Sequence, residues 1–318
     1  MRIFITGASG FVGGAATRSL IEAGHQVSAM SRSESSDTLI RDLGAEPIRC
    51  DLETVTAEHV GDAEIVLHSA AFVEAWGPKD AWHRYNVLGT QAMLTAGREA
   101  GARRFIHIGT EAAICHGQHV RDADETVPLA PDSPYPYCAT KAQAEQLVRD
   151  ANSDGTFETI ILRPRFIWGP GDTTLLPLIE EMAKSGKWMW INDGKAMTST
   201  THIANLVHAI DLALTKGGGG EAYFILDEGT ISVKDMIGSM AQARGLTLSD
   251  KSISSGLADF VGRASEKIWR ILHLKNDPPL TAHAAMVMSR DCTLNGDKAA
   301  SDLGYKSVVT RAEGFATL

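Results

Sequence analysis

Tyr137 and Lys141 stand four residues apart in Tyr137-Cys138-Ala139-Thr140-Lys141. Four residues is one helical turn, so on a helix both side chains leave from the same face. A phenol has an ordinary pKa of ~10, and a neighbouring ammonium favours its ionised form. Such a phenol can pass a proton to or from an alcohol or carbonyl oxygen near neutral pH. The spacing alone is common on solvated helices, and it carries chemistry only beside a hydride carrier. Cys138 leaves from a different face and reads as a small filler, not a nucleophile.

The elements that would bring such a carrier begin at residue 2. Arg2-Ile3-Phe4-Ile5-Thr6 reads as a short buried strand, and Gly7-Ala8-Ser9-Gly10-Phe11-Val12-Gly13 follows directly. From Phe11 to Ala23 the apolar residues take helical spacing. A strand, a glycine turn and a helix N-terminus together make a pyrophosphate site, because the first helical N–H groups and the helix dipole favour an anion. Gly7 would serve the turn, Gly10 the approach of the phosphates, and Gly13 close helix–sheet contact. The spacing is G-x-x-G-x-x-G rather than the commoner G-x-G-x-x-G.

The rest of the first half keeps alternating. Strands are expected at 2–6, 26–30, 46–50, 64–68, 103–108 and 157–162. Helices are expected near 11–23, 35–43, 80–100 and 134–153, the last entered through Asp132-Ser133-Pro134-Tyr135-Pro136, since proline is tolerated in a first turn. Such alternation predicts an α/β fold, a doubly wound parallel sheet with helices on both faces. The pattern breaks after residue 163. This assigns 1–163 to a dinucleotide-binding domain and 164–318 to a smaller α/β substrate lobe partly interwoven with it. In that lobe Leu257, Phe260, Val261, Ala264, Ile268, Ile271 and Leu272 follow helical spacing, with Asp259, Arg263, Glu266, Lys267 and Arg270 on the other face. The preferred reading lays this apolar face on the lobe; the alternative is a surface helix that meets a membrane or admits a lipophilic substrate.

Composition narrows the function classes. The 318 residues are 44% hydrophobic and 22% charged, with a net charge of −9, which fits a globular enzyme and argues against nucleic acid as a partner. No apolar run is long enough to span a membrane. A core strand starting at residue 2 leaves no room for a signal peptide, and Cys50, Cys115, Cys138 and Cys292 show neither a disulfide framework nor metal spacing; the expectation is a cytoplasmic protein. His116-Gly117-Gln118-His119 resembles a metal pair, but no third ligand has matching spacing, so no metal is expected.

With these motifs in order, the chain resembles the extended short-chain dehydrogenase/reductase family of the NAD-dependent epimerase/dehydratase superfamily. The motifs stand nearest those of 3β-hydroxysteroid- and sterol-dehydrogenase-like members. The resemblance covers most of the chain and is strongest from residue 2 to about 172. Asp51-Leu52 matches the family's acid at the adenine, and Ser69-Ala70-Ala71 its small residues along the cofactor. Asn86 in Asn86-Val87-Leu88-Gly89-Thr90 matches the asparagine that supports the active-site lysine and a proton-relay water. Thr110 ends Phe105-Ile106-His107-Ile108-Gly109-Thr110, where the family usually places the catalytic serine.

The resemblance implies a Rossmann-type fold and assigns roles. Tyr137 is the general acid/base. Lys141 lowers its pKa and binds the nicotinamide ribose. Thr110 orients the reacting oxygen, Asn86 supports the relay, and Gly7, Ser9, Gly10, Phe11, Val12, Gly13 and Pro164 border the cofactor. It also implies a homodimer joined through helices that include the Tyr/Lys helix. At the end of the second strand stands Arg32, flanked by serines, where an acid would favour NAD. A guanidinium matches a 2′-phosphate in charge and shape, so the expected cofactor is NADP, with NAD as the alternative.

The segment Leu162-Arg163-Pro164-Arg165-Phe166-Ile167-Trp168-Gly169-Pro170-Gly171-Asp172 also resembles the hydroxysteroid- and sterol-dehydrogenase-like members. Nucleotide-sugar epimerases carry further on an arginine that grips the substrate diphosphate. The matching stretch here, Thr198-Ser199-Thr200-Thr201-His202-Ile203-Ala204-Asn205, has none. The expected function is therefore interconversion of a secondary alcohol and a ketone on a small lipophilic or steroid-like molecule. A nucleotide-sugar epimerase/dehydratase with tightly held NAD, or a non-catalytic dinucleotide sensor, are the alternatives. Phe72, Trp76, Glu111, Arg165 and Trp168 are the candidates for contact with the substrate, with Trp188 and Trp190 as further aromatics.

Overall fold

Alternate residues of the core strands face opposite sides, and each set finds its own hydrophobic layer. In the computed structural model, which describes residues 1–274 and 276–318, seven strands form the central sheet: β1 (Arg2–Thr6), β2 (Gln26–Ser31), β3 (Glu46–Arg49), β4 (Ile65–His68), β5 (Arg104–Ile108), β6 (Glu158–Pro164) and β7 (Glu221–Ile225). Their spatial order is β7-β6-β5-β4-β1-β2-β3, with every neighbouring pair parallel. Ile3, Ile5, Ile65, Leu67, Ile106, Ile108, Ile160 and Leu162 point to one side, where Ala16 and Leu20 of the Phe11–Glu22 helix and Leu206 and Ile210 of the Ile203–Ala213 helix cover them. Phe4, Val66, Phe105 and Ile161 point to the other side, against Met93 and Leu94 of the Gly89–Glu99 helix and Val148 of the Pro136–Asp150 helix. The period-two pattern read as strand thus places helices on both faces of a parallel sheet, a Rossmann-type α/β fold.

The six strands expected from sequence are present with ends within a few residues. Sequence reading missed the seventh. Ala222-Tyr223-Phe224-Ile225 is buried beside β6, and the Ile203–Ala213 helix from the same half of the chain covers one sheet face. Interweaving also runs the other way: Val120–Ala123 pairs in parallel with Cys292–Leu294 in a four-stranded sheet that includes Met197–Thr198 and Ile231–Ser232.

The helix expected near 80–100 opens with a π-helical turn, His83–Leu88, before the regular Gly89–Glu99 helix. Such one-residue expansions re-aim side chains and recur at functional sites.

The Ser255–Ile271 helix departs from the preferred reading. The side it buries carries Ala258, Gly262 and Ser265. Gly262 lies so close to the start of the Ala282–Ser289 helix that a Cβ would stand 2.9 Å from the Ala282 nitrogen. Close approach at small residues fixes the orientation, and Leu257, Phe260, Ile268, Ile271 and Leu272 are left facing outward.

Candidate active site

Parallel pairing puts the C-terminal ends of β1, β4 and β5 on one edge, with Thr6 opposite His68 and His68 opposite His107. The glycine turn after β1, the Ser69-Ala70-Ala71 shelf after β4 and Thr110 beyond β5 therefore share that rim.

The glycine turn is built to keep backbone bare. Gly7 takes φ 77°, and a Cβ there would stand 3.0 Å from the Ala70 nitrogen. A Cβ on Gly13 would come within 2.1 Å of the Gly7 carbonyl oxygen, so only glycine lets the helix start pack on the turn. Gly10 is the N-cap of the Phe11–Glu22 helix and offers no side-chain acceptor to its first N–H groups. Those donors stay available to an anion, and the site fits a dinucleotide pyrophosphate. Ser9 and Gly10 are exposed at the mouth of the turn.

At the far end, Arg32 is exposed and makes no hydrogen bond or ion pair among the described residues. Its neighbour Arg49 is instead paired with Asp37, whose other oxygen accepts from Ser31 at 2.5 Å. Asp51 accepts from the Glu53 and Thr54 amides and from the Thr54 hydroxyl, each at 2.9 Å. Burial pushes its carboxyl up, but these bonds and the nearby Arg32 charge together hold it below the ordinary value.

A buried chain links the turn to the reaction side. The Ala70 amide donates to the Thr6 hydroxyl oxygen at 3.0 Å, Thr6 meets His68 Nδ1 at 2.8 Å, and His68 Nε2 meets the Thr90 hydroxyl at 3.1 Å. Thr90 donates its one proton to the Asn86 carbonyl at 2.6 Å. His68 must therefore carry its proton on Nε2 and accept from Thr6 at Nδ1. Burial, reinforced by the Lys141 charge, lowers its pKa to about 3 and keeps it neutral.

The Asn86 side chain is committed to structure. Its Oδ1 accepts from the Phe72 amide at 2.7 Å, and its Nδ2 donates to the Phe72 carbonyl at 3.1 Å and the Thr140 hydroxyl at 3.3 Å. It thus ties the segment after the shelf to the Tyr/Lys helix. Phe72 in turn packs edge-on against Trp82 and stacks on Tyr85.

Tyr137 and Lys141 share one face of the Pro136–Asp150 helix. The Tyr137 side chain lies beside Thr110, and its ring lies 5.6 Å from that of His283. Burial, then the Glu111 charge, pushes the phenol above its ordinary pKa, with Thr110 opposing. The expected lowering by Lys141 is not seen: Lys141 Nζ donates to the Ile108 carbonyl at 3.0 Å. Burial lowers the lysine to about 8, with Glu145 opposing.

Glu145, one turn beyond Lys141, was missed although the same spacing could have found it. It is fully buried and accepts from Arg163 Nε at 2.8 Å and Nη2 at 2.5 Å, and from Arg149 at 2.9 Å. This bidentate pair pins the Tyr/Lys helix to β6 beside Pro164. His283 was also missed, and nothing in its sequence surroundings marks it. Burial lowers its pKa to about 4.

Of the expected substrate residues, Glu111 and Arg165 are brought to Thr110. Glu111 accepts the Thr110 hydroxyl proton at 2.7 Å and forms a buried ion pair with Arg165, which also donates to the Thr198 hydroxyl at 2.8 Å. Trp76 lies elsewhere, beneath the Arg270 guanidinium. Trp168 does not reach the rim. It is fully buried in the lobe, donates to Asp227 at 2.8 Å and packs on His202 and Phe315. Trp188 and Trp190 pack on each other in that same lobe core. His116 and His119 each face a carboxylate, Asp132 and Asp291, and among the described residues no cluster could hold a metal.

Comparison with known proteins identifies the family. Residues 4–252 match the model of the 3-beta hydroxysteroid dehydrogenase/isomerase family. The chain is 36% identical, over 100% of its length and 96% of the relative's, to the 4-hydroxy-2-methyl-3-oxo-4-farnesyl-3,4-dihydroquinoline-1-oxide ketoreductase of Stigmatella aurantiaca. It is also 36% identical, over 100% of its length and 98% of the relative's, to a 2-alkyl-3-oxoalkanoate reductase of Stenotrophomonas maltophilia (strain K279a). The crystal structure of UDP-glucuronic acid 4-epimerase from Bacillus cereus in complex with NAD shares the fold, with a TM-score of 0.76 at 20% identity, covering 100% of this chain and 97% of that one. Among the described residues no helix is long and apolar enough to cross a membrane. The chain belongs to the 3-beta hydroxysteroid dehydrogenase/isomerase family and is an NAD(P)-dependent oxidoreductase.

Proposed function

We propose that the protein reduces a ketone on a lipophilic small molecule to a secondary alcohol, with NADPH as the preferred cofactor and Tyr137 as the proton donor. One observation carries this reading: Tyr137 and Thr110 stand beside each other at the rim that also holds the bare glycine turn. A nicotinamide held along that rim by the glycine turn and Lys141 would supply a hydride for the carbonyl carbon. Tyr137 releases its proton to the carbonyl oxygen as that oxygen gains electrons. A phenol raised by burial and by Glu111 is protonated at neutral pH, which suits the acid role of the reductive direction.

Thr110 stands beside the phenol, and Glu111 with Arg165 holds Thr110 in place. Lys141, a turn behind Tyr137, serves the ribose and supplies positive charge at the rim. Asn86 and the Glu145–Arg163 pair keep the Phe72 segment and the Tyr/Lys helix in register. Arg32, which forms no ion pair among the described residues, is the group suited to a 2′-phosphate.

The stretch that would grip a sugar-nucleotide diphosphate supports the same choice. Thr200 and Asn205 are turned inward onto Asp227, and Thr201 onto the Ile225 carbonyl. They form a buried polar knot that, among the described residues, offers no free cation for a diphosphate. The names of both reductase relatives give a 3-oxo group as the target, on a farnesyl-bearing dihydroquinoline oxide and on a 2-alkyl-3-oxoalkanoate.

The test is Tyr137→Phe with a panel of alkyl and polycyclic ketones. The variant should bind NADPH as the parent does, by fluorescence titration, while turnover falls by about 10²-fold or more. Undiminished turnover would overturn the assignment of Tyr137. Release of tightly held NAD from purified protein, together with sugar interconversion, would replace the reading with an epimerase.

A further inference from the structure

The Ser255–Ile271 helix divides into three sectors. Ala258, Gly262 and Ser265 are buried against the Ala282–Ser289 helix. Leu257, Phe260, Ala264, Ile268 and Ile271, at spacings of three and four, make a second sector that faces out. There Phe260 is 70% exposed, Ile271 64% and Leu257 49%, and Leu272 just beyond is 61% exposed. Large apolar residues exposed singly need no explanation, but a contiguous stripe of them marks an interaction surface.

The third sector holds the charges, and they are not evenly balanced. Both acids of the helix are spent inside the molecule: Asp259 pairs with Arg290 at 2.6 Å, and Glu266 accepts from the Ala282 amide at 2.7 Å. Arg263, Lys267 and Arg270 recur at spacings of four and three along the edge of the apolar stripe. Arg263 and Lys267 form no ion pair among the described residues, and Arg270 lies over the Trp76 ring. A protein of net charge −9 therefore presents, on this one helix, an apolar stripe flanked only by cations.

We infer that this helix docks in the plane of an anionic lipid surface, its apolar stripe in the acyl boundary and Arg263 and Lys267 on the headgroups. Charge complementarity selects this occupant. A second copy packing stripe to stripe about a two-fold axis would set its own arginines and lysines against these, with the acids already committed elsewhere. The placement also suits the site, because the Ala282–Ser289 helix beneath carries His283, which touches Tyr137. At the C-terminal end of the docking helix an open cleft of about 330 Å³ is lined by Trp76, Pro78, Trp269 and Leu274 together with Arg270, His273 and Asp277, on the segment that leads back to Phe72.

The test is flotation of the full-length protein with vesicles of phosphatidylcholine alone and of phosphatidylcholine with phosphatidylglycerol. Binding is expected to the anionic vesicles and to weaken as salt is raised. Phe260→Glu and Ile271→Glu should each weaken it by about tenfold or more. Arg263→Glu and Lys267→Glu should each cost about fivefold at low salt. The four residues are exposed, so thermal unfolding should stay at the parental temperature and separate lost docking from lost folding. Absence of binding to either vesicle, or binding indifferent to all four substitutions, overturns the inference. A dimer in sedimentation equilibrium that Phe260→Glu dissociates, with vesicles ignored, gives the face to a second copy instead.

Discussion

Replacing Lys141 with methionine tests whether the site stores a buried charge at the expense of stability. The lysine is 3% exposed, and its pKa falls from an ordinary 10.5 to about 8. That depression corresponds to about 3 kcal/mol lost by the folded state at neutral pH. Methionine is similar in length, removes this cost, and forfeits the 3.0 Å bond to the Ile108 carbonyl, worth ~1.5–3 kcal/mol for a charged donor. At pH 7 the variant should therefore be more stable by ~0.5–2 kcal/mol while losing activity.

The sign then depends on pH. Because the folded pKa is depressed, the unfolded chain binds more protons between about 8 and 10.5, and the parent gains stability as pH rises through that window. By pH 9.5 ~2 kcal/mol of the cost has gone, and the ranking of parent and variant should close or invert. Urea unfolding of both proteins at pH 7 and 9.5 measures this, and other titrating groups cancel in the comparison. A parent–variant difference that is flat between those pH values would refute the claim that Lys141 carries a buried, destabilised ammonium.

Two further outcomes follow from named contacts. Arg32→Ala should weaken NADPH by about 10- to 150-fold, from the loss of a charge-assisted contact, and leave NADH affinity where it was; equal weakening of both cofactors would remove Arg32 from the 2′-phosphate. Glu145→Gln keeps shape but leaves the fully buried Arg163 uncompensated, and should lower stability by ~3 kcal/mol or more in denaturant titration, with a change below ~1 kcal/mol arguing against the clamp.

The legible part of the chain was the part whose signals are local. Alternating apolar residues in Ile3-Phe4-Ile5 and Phe105-Ile106-His107-Ile108 revealed strands, and the turn glycines and the Tyr137/Lys141 spacing revealed the rim. β7 escaped because Ala222-Tyr223-Phe224-Ile225 is a short apolar run in a stretch without alternation, and its partner β6 lies about sixty residues earlier. The Trp168 placement escaped for a related reason: an indole reads as pocket or core alike until Asp227, 59 residues away, accepts its N–H. The Ser255–Ile271 helix was found, but its orientation was not, because Gly262 and its neighbours' closeness to the Thr281 backbone outweighed hydrophobicity. The Asn86 amide, expected at a water relay, is engaged by a backbone segment whose path only the fold defines.

The late arrival of β7 has a consequence for synthesis. When the ribosome has released residues through Pro164, β6 is the outer strand of an unfinished sheet, and its Thr159-Ile160-Ile161-Leu162 edge has no cover. Residue 225 follows about 3–12 s later at ordinary elongation rates. During that interval the nascent chain exposes an apolar strand edge of the kind that pairs with other chains. Growth conditions that slow translation between residues 164 and 225 should therefore lower soluble yield more than equal slowing elsewhere.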